Sequence, residues 1–313
     1  MKETAPASST ANALRTGRIP PKAKGILYIL SAAFFFSLMT FFVKLSGDLP
    51  SMQKVFFRNL IAFFIAFIAL ARSEEKFHVR KDSWGGLFLR CLAGTLGMVA
   101  NFWAIDRLGL ADSNTLNKMS PFFAIVMSLF ILKERPNKVE WGSVFIALVG
   151  AAFVIKPTTG IASLPALVGL FSGFAAGTAY TYVRKLSKQG ERGPVIVFAF
   201  SAFSILFTAP YLIFDYHPMT WQQLVFLLLA GVGGAGGQFS ITAAYAHAPA
   251  KEISVFDYIQ VLFAAVWGLL AWGELPDWLS VLGYVIIIGV AVFRWWYNLK
   301  QDEHAPAESI EHA

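Results

Sequence analysis

A single cysteine, Cys91, stands in the 313 residues. That excludes an internal disulfide and any cysteine-cluster metal site. Charge is scarce too: only 14% of residues are charged, against about 25% in ordinary soluble domains. Histidine offers no replacement for the missing thiols. His78, His217, His247, His304 and His312 fall in connections or near the chain end, and no two stand at metal-ligand spacing, so no metal is expected. A phosphate-binding loop is also missing. Gly231-Val232-Gly233-Gly234 lies inside an apolar run with no Lys-Ser/Thr after it. Nothing here binds a nucleotide for energy, and no cofactor is implied.

What the chain has instead is apolar length. Hydrophobic residues make up 56% of it, and its mean hydropathy is +0.58. A soluble protein so composed would expose large sticky patches. Apolar runs fall at 25–45, 51–72, 84–106, 112–133, 138–156, 162–185, 194–214, 221–245, 250–272 and 277–298. Each is close to the roughly 20 residues that cross a bilayer core as a helix. The reading is an all-α integral membrane protein of ten spans with short connections and the lipid bilayer as solvent. Residues 1–24, rich in Ala, Ser, Thr and Pro, read as a disordered cytoplasmic tail and not as a cleaved signal. Residues 299–313 read as a second cytoplasmic tail.

The net charge of +7 does not point to nucleic acid, because the basic residues sit between apolar runs and not on one soluble face. There they set orientation. With the N-terminus inside, nineteen basic residues lie on the inner side and four (Lys44, Lys54, Arg107 and Lys156) on the outer side. Both termini then face the cytoplasm of a cell-membrane protein. Three basic residues remain within spans: Arg58, Arg90 and Lys118.

The plan occurs twice. Span four, from Ala111 to Pro136, carries Asn114, Asn117 and Lys118 near its start and Leu132-Lys133-Glu134-Arg135-Pro136 at its end. Span nine, from Ala250 to Pro276, carries Asp257 and Gln260 near its start and Gly273-Glu274-Leu275-Pro276 at its end. Val43-Lys44 in span one matches Val183-Arg184 in span six. Arg90, Gly94, Gly97 and Asn101 in span three match Leu227, Gly231, Gly234 and Gln238 in span eight. The repeats are residues 25–156 and 157–298, with five spans each. An odd span number inverts the second copy relative to the first, which is the architecture of a carrier that opens alternately to either side.

These features resemble the drug/metabolite transporter superfamily, and within it the EamA-like type with ten spans. The likeness is carried by the Pro121-containing fourth span ending Leu132-Lys133-Glu134, the ninth span ending Trp272-Gly273-Glu274, and Gly142, Gly150, Gly283 and Gly289 in spans five and ten. The resemblance implies that spans one to four and six to nine surround a central cavity while five and ten pack outside it. It implies a transporter and says little about substrate.

Polar residues within spans are costly and mark candidate sites. Inversion sorts them by depth. Lys118 and Asp257 occupy matching places about 9 Å into their helices at 1.5 Å per residue, so in a core of about 30 Å they should differ by roughly 12 Å in depth. A direct Lys118–Asp257 pair is not expected. Arg58, Asn101, Asn114, Asn117 and Lys118 belong to the outer half. Arg90, Gln238, Asp257 and Gln260 belong to the inner half.

Lys118, with Arg58 nearby, is read as drawing a carboxylate-bearing solute into the cavity; the alternative for Arg58 is snorkelling to the interface. Asp257, the sole carboxylate well inside a span, is either a proton-coupling group, an ion pair with Arg90, or a direct substrate contact. Asn101 and Gln238 hydrogen-bond substrate or a neighbouring helix. Asn114, Asn117 and Gln260 share the faces of Lys118 and Asp257. Among Trp103, Tyr180, Tyr258 and Trp267, Tyr258 is the favoured cavity-lining aromatic. Glu134 and Glu274 read as structural or gating groups.

The expected function is secondary or exchange transport of a small polar metabolite: an amino acid, a carboxylate or a related anionic or zwitterionic solute. The runner-up is a membrane-embedded enzyme acting on a lipid or isoprenoid, which the lack of a His/Asp/Ser cluster disfavours; a channel or scaffold is third. The partners are the solute and the bilayer, with a homodimer admitted.

Overall fold

The computed structural model describes residues 21–155, 163–247 and 254–304. The described residues are all helix and connection. Helix is what lipid demands, because every backbone N–H and C=O in the hydrocarbon must be satisfied within its own segment. In chain order the helices are α1 (Pro21–Leu45), α2 (Ser51–Ala71), α3 (Trp84–Ile105), α4 (Leu110–Asn117), α5 (Ser120–Ile131), α6 (Lys138–Ile155), α7 (Leu164–Lys188), α8 (Gly193–Phe214), α9 (Trp221–His247), α10 (Ile259–Trp272) and α11 (Trp278–His304). Short 3₁₀ turns lead into α3 (Lys81–Ser83) and α10 (Ser254–Tyr258).

Nine helical segments among the described residues are long and apolar enough to cross a membrane. The fourth run falls short because it is cut into α4 and α5, of 8 and 12 residues. The first helix begins at Pro21, inside the stretch read as a tail, and the last continues to His304. Residues 1–20 and 305–313, which hold most of the two expected tails, lie outside the described residues.

The side chains are distributed inside out. Leu206, Ile213, Phe214, Phe145 and Phe130 point outward, with Phe214 87% exposed. Small and hydroxyl-bearing residues fill the interior: Ala32, Ala33, Ala62, Ala66, Ser37, Thr95 and Ser201 are buried. Large apolar groups face lipid tails, while small ones let helices approach closely.

Each span packs mainly on a span of the other repeat. α1 lies on α9, α3 on α7, α2 on α8 and α6 on α11, while the two halves of span four, α4 and α5, pack most on α7 and α10 packs most on α1. Exchanging the two repeats maps this set of partners onto itself, as an inverted duplication requires. α6 and α11 pack chiefly on one another, outside the rest, as the resemblance implies. For example, Gly150 of α6 sits against Ile286 and Ile287 of α11.

Candidate functional site: a central cationic cavity

A broken span and the 3₁₀ start of another meet at the centre. In span four, Pro121 has no N–H to give to the Asn117 carbonyl, so the helix parts between Asn117 and Ser120. Lys118 closes α4, donating its N–H to Asn114 O at 2.9 Å. In span nine, the 3₁₀ turn Ser254–Tyr258 precedes α10 and carries Asp257. Discontinuous helices at mid-depth are the usual makings of a solute site in secondary carriers.

Beside them lies a cavity of about 80 Å³. Seven of the expected site residues line it: Arg58, Arg90, Asn101, Asn117, Lys118, Gln238 and Gln260. Tyr180 supplies the aromatic wall together with Phe36 and Phe200. The outer and inner groups of the depth argument therefore share one space.

Lys118 Nζ lies 2.5 Å from Asp257 Oδ2, both side chains buried. This overturns the expectation that depth keeps them apart. The cause lies in the break of span four and the 3₁₀ start of span nine. Lys118 stands about 12 Å past Leu110, nearer mid-depth than a start at Ala111 or beyond suggested. A 3₁₀ turn rises about 2.0 Å per residue, which also carries Asp257 deeper. A flexible four-carbon stem spans the rest. Nor does Asp257 pair with Arg90. Asn114 crosses the same divide: its Oδ1 accepts from Gln260 Nε2 at 2.6 Å, and its Nδ2 donates to Leu110 O at 2.8 Å and Thr40 Oγ1 at 3.3 Å. Asn117 Nδ2 donates to Ser172 Oγ on α7 at 3.0 Å. Asn114 and Asp257 thus stand behind the lining and hold it.

The two arginines differ from Lys118. Among the described residues no carboxylate lies within ion-pair reach of either. Arg58, fully buried, donates through Nη1 to Asn59 Oδ1 at 2.8 Å and through Nε to the weak acceptor Met39 Sδ at 3.3 Å, and its Nη2 has no partner. Arg90 lies flat on Phe200, its Cζ 3.9 Å from the ring centroid, with Nε and Nη1 unpartnered. Snorkelling is excluded for Arg58, whose side chain ends inside the bundle. Glycine makes room for both groups. A Cβ on Gly234 would come within 2.3 Å of Arg58 Nε, and one on Gly94 within 2.5 Å of Arg90 Nη1. These two glycines cradle guanidinium groups.

The other aromatics fall elsewhere. Tyr258 is buried beside Phe122, at 6.3 Å between centroids, in the cluster between α5, α6 and α11, and away from the cavity. Trp267 donates to Ser37 Oγ at 3.2 Å. Trp103 stacks under Arg107, 4.0 Å from Cζ. Thr40 and Met39 of α1 line the cavity unanticipated, since neither is charged or periodic with anything else in its span.

Related ion pairs stand at the two ends of the bundle. At the end away from the termini, Glu274 accepts from Lys44 of α1 and, through Oε2, from the Leu110 N–H at 2.9 Å. At the other end, Glu134 Oε1 accepts from Arg184 and Lys188 of α7, each at 3.0 Å. Lys44 and Arg184, like Glu274 and Glu134, are partners in the repeat.

The duplication is matched in other proteins. The EamA-like transporter family matches residues 23–156 and again residues 163–295. The chain belongs to that family. This EamA-like transporter is 35% identical over 268 residues to a protein named pseudopaline exporter CntI from Pseudomonas aeruginosa, covering 84% of this chain and 93% of the exporter. It is 24% identical to human solute carrier family 35 member G1, over 90% of this chain and 83% of the carrier. It is also 24% identical to a riboflavin transporter of Vibrio cholerae, over 88% and 95% respectively. A crystal structure superposes with a TM-score of 0.63 at 14% identity, covering 90% of this chain and 99% of that one, which speaks for the fold alone. The protein is a multi-pass membrane transporter of small metabolites and not an enzyme.

Proposed function

We propose that this EamA-like transporter is a secondary carrier that moves an anionic or zwitterionic, carboxylate-bearing metabolite through the central cavity by alternating access. The carrying observation is the pair of buried guanidinium groups, Arg58 and Arg90, that line the cavity without a carboxylate of their own. A guanidinium fork matches a carboxylate in geometry and in charge. Unpartnered acceptors in the lining complement it: Asn101 Oδ1 and Gln260 Oε1 are buried without hydrogen bonds and suit the ammonium end of an amino-acid-like solute. The two repeats, 25–156 and 157–298, act as the opposed halves. The excess of basic residues on one side supports a cell membrane with both termini cytoplasmic. The exporter named for pseudopaline supports outward movement.

Purified protein in proteoliposomes, screened against pooled labelled amino acids, organic acids and nucleosides, tests the reading. A carboxylate-bearing pool should accumulate in the wild type and not in Arg58→Gln. Accumulation of a neutral pool alone would refute it.

A further inference from the structure

The cavity has an excess of positive charge, and all of it comes from one repeat. Arg58, Arg90 and Lys118 belong to the first repeat, while the second repeat contributes the carboxylate Asp257. Where Arg90 stands in the first repeat, the second has Leu227. Asp257 is engaged with Lys118, so two cations remain uncompensated among the described residues. An isolated ion in a low-dielectric interior costs several kcal/mol. A bundle that keeps two such ions, each seated against a glycine, is shaped for a ligand that neutralises both.

Resting on the transporter reading, we infer that the solute carries a net charge of −2 when bound, with one carboxylate on Arg58 and another on Arg90, and that it leaves as a uniported dianion. A monoanion would leave one guanidinium uncompensated. The two arginines rise from different helices, α2 and α3, and their supports differ: Asn59 and Met39 hold Arg58, and the Phe200 ring holds Arg90. Two separately held forks read two separate carboxylates, not one carboxylate twice. Phe36, Phe200 and Tyr180 then enclose an apolar stem between them. The energetic consequence concerns coupling. Each charge crossing 100 mV is worth about 2.3 kcal/mol. An inside-negative potential of about 100 mV therefore sustains a roughly 2,000-fold outward gradient of a dianion with no coupled ion.

The test uses the full-length protein in liposomes preloaded with labelled glutarate, lactate or citrate, with a valinomycin-clamped potassium gradient setting the potential. Glutarate efflux should rise as the interior becomes negative. The potential that nulls its flux should shift by about 30 mV per tenfold glutarate gradient, the value for two charges, and not about 59 mV, the value for one. Arg90→Gln should lower glutarate transport at least tenfold, and Arg90→Lys should keep the 30 mV slope. A slope near 59 mV, a flux indifferent to potential, or lactate carried as well as glutarate by the wild type would overturn the dianion and leave the carboxylate carrier standing. Movement of riboflavin or another solute of no net charge, with none of the three acids, would overturn both. No flux of any acid by folded protein would also overturn the dianion.

Discussion

The two ends of the bundle share one design and differ in burial. At the Glu274 end, the side chains of Lys44 and Glu274 are 12% and 31% exposed. Lys44 also reaches the Leu108 carbonyl at 3.4 Å and lies 4.9 Å from the Trp272 ring centroid. At the Glu134 end, Arg184 and Lys188 are 52% and 59% exposed, and Glu134 is 35% exposed. The backbone is the same at both. Glu134 N–H reaches Ser128 O and Glu274 N–H reaches Gly268 O, each at 3.2 Å. One end thus holds a multiply bonded, half-sheltered ion pair and the other a pair of solvent-screened contacts.

The strongest contrast is between either end and the middle. Asp257→Asn would strand Lys118 in the interior, and losing one partner of a buried pair costs about 3–5 kcal/mol. The melting temperature of the purified protein should fall steeply. Pairing Asp257→Leu with Lys118→Met should recover most of the loss, and equal instability of the double variant would show that Asp257 is held by something other than Lys118.

Next come the ion pairs at the ends. Glu274→Gln leaves Lys44 without its carboxylate and should cost about 1.5–3 kcal/mol, the range for charged hydrogen bonds. Glu134→Gln should cost under about 1 kcal/mol, as for exposed pairs. Thiol labelling of Ala111→Cys, in a Cys91→Ser background, should accelerate several-fold with Glu274→Gln and stay unchanged with Glu134→Gln. Equal acceleration by both would erase the asymmetry.

The smallest effect lies at the turns beneath these ion pairs. Lys133 and Gly273 occupy the same left-handed conformation, with φ of 57° and 67°. A side chain there costs about 1 kcal/mol or slightly more. Lys133→Gly should therefore gain about that much stability, and Gly273→Ala should lose it, in the same melting experiment.

The sequence exposes these features unevenly. Span number, inversion and the matching of Glu134 to Glu274 are legible because apolar length and repeated spacing are properties of the chain itself. Arg58, Arg90, Asn101, Lys118 and Gln238 are legible as cavity residues because charges and amides within apolar runs have few other places to go. The Lys118–Asp257 pair is not, since counting residues assumes unbroken helices, and Pro121 gives no measure of how far a break carries a side chain. Tyr258 misleads for a related reason. In a tight 3₁₀ turn, residues adjacent to Asp257 point to a different neighbour, and the tyrosine turns toward Phe122. Thr40 and Met39 carry no mark at all, because their role comes from α1 lying along α9.

The pairing of every span with one from the opposite repeat bears on how the protein is made. When the ribosome has finished α6, the first five spans are in the bilayer with their partner surfaces bare, Arg58 and Lys118 among them. Asp257, which neutralises Lys118, lies 139 residues beyond it in the chain and is made roughly 5–20 s after α6 ends, at about 5–20 residues per second. During that wait the nascent half must be shielded by lipid headgroups, water or an insertion factor. The interior of the first half is therefore completed only as the spans of the second half emerge.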